Sequence, residues 1–339
     1  MVDLLPLTTT SIGSFPRPRW LAATNRTRVS FAQEGEALDE AQRDATALVI
    51  AAQEKIGLDV VTDGEQRRES FVYQAAEGWD GIDLVNKGSK KVYRAREDAH
   101  LVPRITGQIR RRAPTLVREV ATAKEFASRP IKVAIAGPLT IVDSTLDEHY
   151  GDEAALAMDA AVAINAELLD MQGAGADFLQ IDEPAMTRYH DKVLAFGAAA
   201  LDRCLEGITV PTFVHLCYGY PGVTATQQHN FEYPVVLDRL METRVSGFTV
   251  EFGRSPFNPK LLAPYREKLI MFGCIDPGNS PAPSVDTVKA RVALALEHLE
   301  PKRVLLNPDC GLMTISRELA LQKLTVMVEA ARLLRSEIA

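Results

Sequence analysis

No stretch of this chain is apolar over the roughly 18 residues that a membrane helix needs, so no bilayer span is expected. An excess of positive charge is also missing. The 38 Lys and Arg stand against 45 Asp and Glu, for a net charge of −7. Phosphate backbones are gripped by clustered cations, so a nucleic-acid surface is not expected either. The one basic cluster, "IRRRAP" around Arg110–Arg112, reads as a solvated face or a small anion contact. Cysteine is scarce. Cys204, Cys217, Cys274 and Cys310 are too widely spaced for a secreted disulfide framework. A reducing cytoplasm fits them better, and there free thiolates can act as ligands or nucleophiles. The N-terminal "MVDLLPLTTT" carries Asp3 and lacks the apolar core of a signal peptide. Internal repeats and low-complexity tracts are lacking too.

What is present is an ordinary globular composition, 46% hydrophobic and 24% charged over 339 residues. Short apolar runs alternate with longer amphipathic stretches. The runs are "TTTSIGSF", "LDVVTD", "IKVAIAG", "ADFLQID", "VPTFVHL", "SGFTVEF", "KLIMFGCID" and "RVLLNPD". Gly57 and the Gly173–Gly175 pair close two of the intervening helices as C-terminal stops do. Strands that alternate with helices pair in parallel, and eight such units close a (β/α)8 TIM barrel. The predicted fold is therefore α/β, one barrel domain over residues 1–339. A doubly wound open sheet is the alternative, weakened because no G-x-G-x-x-G turn follows the first run. Residues 77–112 fit neither period and are predicted to be an insertion over the barrel mouth.

In a parallel barrel all strands end on one face, where active sites sit. The runs end in "SIGSFPRP", "TDGEQRRES", "QIDEPA", "HLCYG", "VEFGR", "CIDPGN" and "NPDCGL", so acids, thiols and an imidazole share one rim. His215 and Cys217 are two apart in a strand and face the same way. With Glu251 and Cys310 they make a donor set suited to Zn2+. Two thiolates and one carboxylate outweigh the ion and leave a net −1, a centre that favours an incoming thiol over a water. The blander alternative is a core histidine with unrelated core thiols, and Cys204 and Cys274 are read as such thiols. Asp182 and Glu183 end a strand, although Asp182 could cap a following helix. Glu65 could be a loop acid. If the substrate carries an amino group, Glu65 and Asp182 form its expected carboxylate clamp. Backbone N–H groups around Ser14 suit a carboxylate. Together these describe a pocket for a zwitterionic thiol amino acid.

"SIGSFPRP", "DGE", "GPLTI", "QIDEPA", "HLCYG" and "NPDCGL", in this order from about Thr8 to the C-terminus, resemble the catalytic barrel of cobalamin-independent methionine synthases. The resemblance implies zinc on His215, Cys217, Glu251 and Cys310. It places homocysteine on the backbone of Ile12 and Ser14 and on the carboxylates of Glu65 and Asp182. Long members of the family add an N-terminal barrel that helps hold polyglutamylated folate. The match is to the short core type, for which a methylcorrinoid protein has been proposed as donor. Two positions depart from the long pattern. "CIDPGNSPAPS" has Asp276 and Asn279 where the family carries a histidine, and Val142, Asp143 and Ser144 stand in place of a folate-stacking tryptophan. Asp276 and Asp182 are thus the candidate catalytic acids, and a non-folate donor is expected. The alternative activity is zinc-dependent alkyl transfer to another small thiol, of the coenzyme M epoxide type. A zinc- or thiol-holding accessory protein is the non-enzymatic alternative.

Overall fold

The computed structural model describes residues 4–23, 29–92, 99–217, 233–255 and 257–338. Tyr218 and Gly219, which close the "HLCYG" motif, lie outside them. The eight barrel strands are β1 (Thr8–Thr9), β2 (Val61–Thr62), β3 (Ile131–Ala136), β4 (Phe178–Asp182), β5 (Thr212–His215), β6 (Gly247–Glu251), β7 (Leu269–Ile275) and β8 (Val304–Pro308). All pair in parallel, in the order β1-β8-β7-β6-β5-β4-β3-β2. The N–H groups of Asp59 and Val60 donate to the Thr9 carbonyl at 3.1 and 3.0 Å and tie the two end strands together. This is the (β/α)8 barrel, and its sequential strand order excludes the doubly wound sheet.

Parallel strands are covered on both faces, so they read as continuous apolar runs. Outward residues such as Val133, Ile135, Leu179, Ile181, Phe248 and Val250 join the main core beneath the helices. Inward residues alternate with them. At the N-terminal end these are Val60, Phe178, Phe213, Met271 and Leu305, a separate apolar cluster that floors the barrel.

The helices are α1 (Gly35–Ile56), α2 (Val117–Phe126), α3 (Pro138–Ser144), α4 (Glu153–Gly173), α5 (Ala198–Cys204), α6 (Tyr233–Leu240), α7 (Val285–Leu296) and α8 (Arg317–Ile338). Helix α1 buries Gln42, Ala45, Thr46, Val49, Ile50 and Gln53, a stripe at three- and four-residue spacing. It stops where Gly57 turns left-handed at φ 94° and donates back to Gln53 and Glu54. Asp152 starts α4 by accepting the N–H groups of Ala154 and Ala155.

Residues Trp79–Lys90 and His100–Arg111 pair as an antiparallel hairpin with two register shifts. Its base is pinned to α4 through Arg111, which bonds Glu167 at 2.8 Å and Asp170 at 2.5 Å. Its far end reaches α3, where Lys90 Nζ donates to the carbonyls of Val142 and Thr145, both at 2.7 Å.

Candidate active site

The first strand is shorter than its run. After Thr9 the backbone leaves the ladder, and three side chain or backbone donors seize the carbonyls of the next turn. Ile12 O accepts from Lys132 Nζ at 3.0 Å, Gly13 O from Thr62 Oγ1 at 3.0 Å, and Ser14 O from Leu312 N at 2.9 Å. No backbone acceptor among the described residues takes the N–H of Ile12, Gly13 or Ser14. In a trans peptide the N–H points opposite to the preceding carbonyl. Anchoring the carbonyls therefore fixes the direction of the N–H groups of Gly13 and Ser14. A Cβ at Gly13 would stand 2.6 Å from Glu65 Oε1, so a larger residue there would push that carboxylate aside.

Glu65 follows β2 and sits at φ 54°, in the left-handed region. Arg17 holds it there by donating to the carbonyls of Glu65 and Arg68 at 2.7 and 2.8 Å. Arg68 is itself buried, bonded to Glu119 at 2.8 Å and to Ala134 O at 2.7 Å, with Nη1 3.9 Å from Glu65 Oε1. Burial pushes the Glu65 carboxyl up to about 7 despite the pull of Arg68, and the nearby charge of Asp182 adds to the rise. Asp182 ends β4 and accepts from Gln180 Nε2 at 2.7 Å. Burial raises its pKa too, opposed by His215. It caps no helix. That role falls to Glu183, which accepts the N–H groups of Leu139 and Thr140, each at 2.9 Å, at the start of α3.

The rim residues of β5 and β8 meet. The ligand atoms of His215, Cys217 and Cys310 lie within 4.8 Å of one another, and the two Sγ atoms are 3.3 Å apart. Both ring nitrogens of His215 are buried without a hydrogen-bond partner. A buried imidazole with two idle nitrogens is costly. An ion held by the two thiols would satisfy one of them, so the residues fit a metal. Glu251 is buried at the end of β6 but stands outside this group of three. The neighbouring Cys217 sulfur, with burial and the charge of Glu251, lifts the Cys310 thiol above its ordinary value.

Asp276 after β7 is turned inward on its own loop. Its carboxylate accepts from Gly278 N at 2.8 Å and from Ser280 Oγ at 2.9 Å. Cys204 and Cys274 are fully buried in the main core, and their thiols donate to backbone carbonyls. Sequence reading missed several members. Asp309 accepts from the N–H groups of Phe252, Gly253 and Arg254 at 3.2, 2.7 and 2.8 Å, which ties the chain after Glu251 to the strand carrying Cys310. Lys132 and Gln180 form a polar layer under the acids. Their one visible signal is a polar residue at an inward position of an otherwise apolar strand.

Fold and rim together define a parallel barrel that gathers a thiol-rich group able to hold a metal at the ends of its strands. Residues 7–333 match the family described as "Cobalamin-independent synthase, Catalytic domain", and the chain belongs to that family. It is 33% identical to a methionine synthase of Sulfolobus acidocaldarius, over 99% of this chain and 94% of that one. Identity to the methionine synthase of Saccharolobus solfataricus is 34%, over 99% and 97%. A B12-independent methionine synthase from Shewanella sp. W3-18-1, solved in complex with selenomethionine, superposes with a TM-score of 0.93 at 30% identity, covering 98% of this chain and 99% of that one. The chain is thus a methyltransferase of the methionine synthase type, one that acts on a thiol. No helix among the described residues is long and apolar enough to cross a membrane.

Proposed function

We propose that this protein methylates the sulfur of homocysteine to give methionine, with Zn2+ held by His215, Cys217, Cys310 and Glu251. The observation that carries the reading is the buried His215 ring, idle at both nitrogens, beside two thiols 3.3 Å apart. Zinc bound there would lower the pKa of an arriving thiol and keep it nucleophilic at neutral pH. Glu251 lies close enough to influence Cys310 yet apart from the three, and serves as the ligand that yields space to substrate.

Glu65 and Asp182 bind the amino group. Each is raised by burial, and Asp182 repels the charge of Glu65, so a substrate ammonium is the cation that holds both ionised. The anchored turn Ile12–Ser14 offers its N–H groups to the carboxylate. With both ends fixed, the sulfur is presented in line with the donor's methyl group. The thiol proton leaves to solvent, the S–CH3 bond forms, and the donor keeps the electron pair of the bond it gives up.

On the donor side Val142–Ser144 stand in place of the family's tryptophan, and Asp276 or Asn279 lies near the position of its histidine. Asp143 is buried and accepts from Tyr189 Oη at 3.0 Å. These replacements support a donor other than a folate polyglutamate, such as a methylcorrinoid protein. Asp276 is the candidate acid of that side, and the hairpin of Trp79–Arg111 borders it through Lys90. The four cysteines, none of them in a disulfide, suit a reducing cytoplasm. The test is to incubate zinc-loaded protein with homocysteine and either methylcobalamin or methyltetrahydrofolate and weigh the products. Methionine from the corrinoid alone fits the proposal; no methionine with either donor and no homocysteine binding would refute it.

A further inference from the structure

Lys132, the second residue of β3, points into the barrel and is only 1% exposed. Nothing in the proposed chemistry uses it directly. A lysine at such a site forgoes its hydration and must be compensated. Its Nζ has two described acceptors, the Ile12 carbonyl at 3.0 Å and Oε1 of Gln180. Gln180 passes the contact on, because its Nε2 donates to Asp182 Oδ1 at 2.7 Å. One ammonium therefore touches both halves of the amino-acid pocket. The carboxylate half is reached through Ile12 and the amino half through Gln180 and Asp182.

Donor and acceptor chemistry gives this arrangement a direction. An ammonium only donates, whereas an amide can present either end. Facing Lys132, Gln180 must show its oxygen, and its NH2 must then face Asp182. Without the lysine the amide is free to turn over and set an oxygen against the carboxylate. At Ile12 the same nitrogen holds the carbonyl, and so fixes the N–H of Gly13 on the opposite side of the peptide.

Resting on the homocysteine reading, we infer that Lys132 is a positioning residue for the acceptor substrate, one that presets its amino and carboxylate contacts together. Burial pulls the lysine's pKa down, and with Asp182 and Glu65 pushing against it the value stands at about 7, so its charge belongs to the same electrostatic set as the amino clamp.

The test is calorimetric titration of zinc-loaded full-length protein with homocysteine, 4-mercaptobutyrate (no amino group) and 3-aminopropanethiol (no carboxylate). Wild-type protein should prefer homocysteine to either truncated thiol. In Lys132→Met the homocysteine affinity should fall by about 10-fold or more, and each truncated thiol should lose less, since each uses only one branch. In Gln180→Leu, homocysteine and 3-aminopropanethiol should weaken while 4-mercaptobutyrate stays as in wild type. Equal losses for all three thiols in Lys132→Met would mean a general packing role and overturn the inference. So would an unchanged homocysteine preference. Should Lys132→Met fail to fold, Gln180→Leu decides: an effect on 4-mercaptobutyrate equal to that on 3-aminopropanethiol, or on neither, overturns it. Wild-type protein with no preference for homocysteine would instead sink the acceptor assignment itself, and the lysine's role with it.

Discussion

The two ends of the barrel interior are built from the same strands and the same alternation, yet they are opposite in character. At the floor, Phe178, Phe213, Met271 and Leu305 fill the inward positions, and the Phe178 and Phe213 rings pack with centroids 6.4 Å apart. One inward step up each strand, the fillers become Lys132, Gln180 and His215, and another step reaches Asp182 and Cys217. The floor needs only volume and apolar surface. Every charge in the upper half needs a named partner, because burial without one costs more than the fold can spare. Packing and chemistry are thus separated along the barrel axis, and substitutions at the two ends should fail in different ways.

The sharpest contrast is between Cys310 and Phe213. Cys310→Ser should abolish zinc binding and methyl transfer together while the far-ultraviolet dichroism stays native; a fully active, metal-free variant would break the scheme. Phe213→Ala should do the reverse, costing about 3–5 kcal/mol of stability in denaturant titrations with about one zinc per chain still bound. Next in size, Glu65→Gln should weaken homocysteine by about 10-fold or more, since a bond to a charged group contributes roughly 1.5–3 kcal/mol. Unchanged affinity would favour a thiol without an amino group, the epoxide-transferase alternative.

The same substitution has a pH signature. Glu65 is raised from its ordinary 4.5 to about 7 when folded, so the folded state holds its proton more tightly. Its contribution to stability is full below about 4.5 and is lost as the pH rises through about 7. The amide introduced by Glu65→Gln cannot ionise. The melting temperature of the variant relative to wild type should therefore climb between about pH 5 and about pH 7.5 and then level off. A flat difference would place the proton elsewhere. The smallest effect on binding is expected at Asp276, whose carboxylate already bonds Gly278 and Ser280. Asp276→Asn should leave homocysteine affinity unchanged in the same titration, while methyl transfer slows by about 100-fold, as the loss of a general acid requires.

Much of this was legible in the sequence, for physical reasons. Parallel strands buried on both faces leave unbroken apolar runs, so eight units and hence the barrel could be counted. Parallel strands also share their ends, so "HLC" and "NPDC" had to approach each other once the barrel was assumed. The Trp79–Arg111 hairpin was less readable because its faces are half exposed and its register shifts twice, which destroys a period of two. The short β1 was misjudged for another reason. Its run of Thr, Ser, Gly and two apolar residues reads as a strand, but the backbone beyond Thr9 is captured by Lys132, Thr62 and Leu312, and residue type does not encode where a carbonyl finds its donor. Of the two acids at the end of β4, the sequence left open which one turns to the mouth, and Glu183 is the one that caps α3. A carboxylate beside "GPLT" could do either, and only the third dimension chose.

The pairing of β1 with β8, Thr8 against Leu305, has a consequence during synthesis. The barrel's first strand has no neighbour on that side until its last, β8, has been made. Arg335 then latches the seam from α8 by donating to the carbonyls of Pro6 and Leu7, across up to 329 positions of chain. A chain cut short before β8 lacks Cys310 and so could not assemble the group of His215, Cys217 and Cys310.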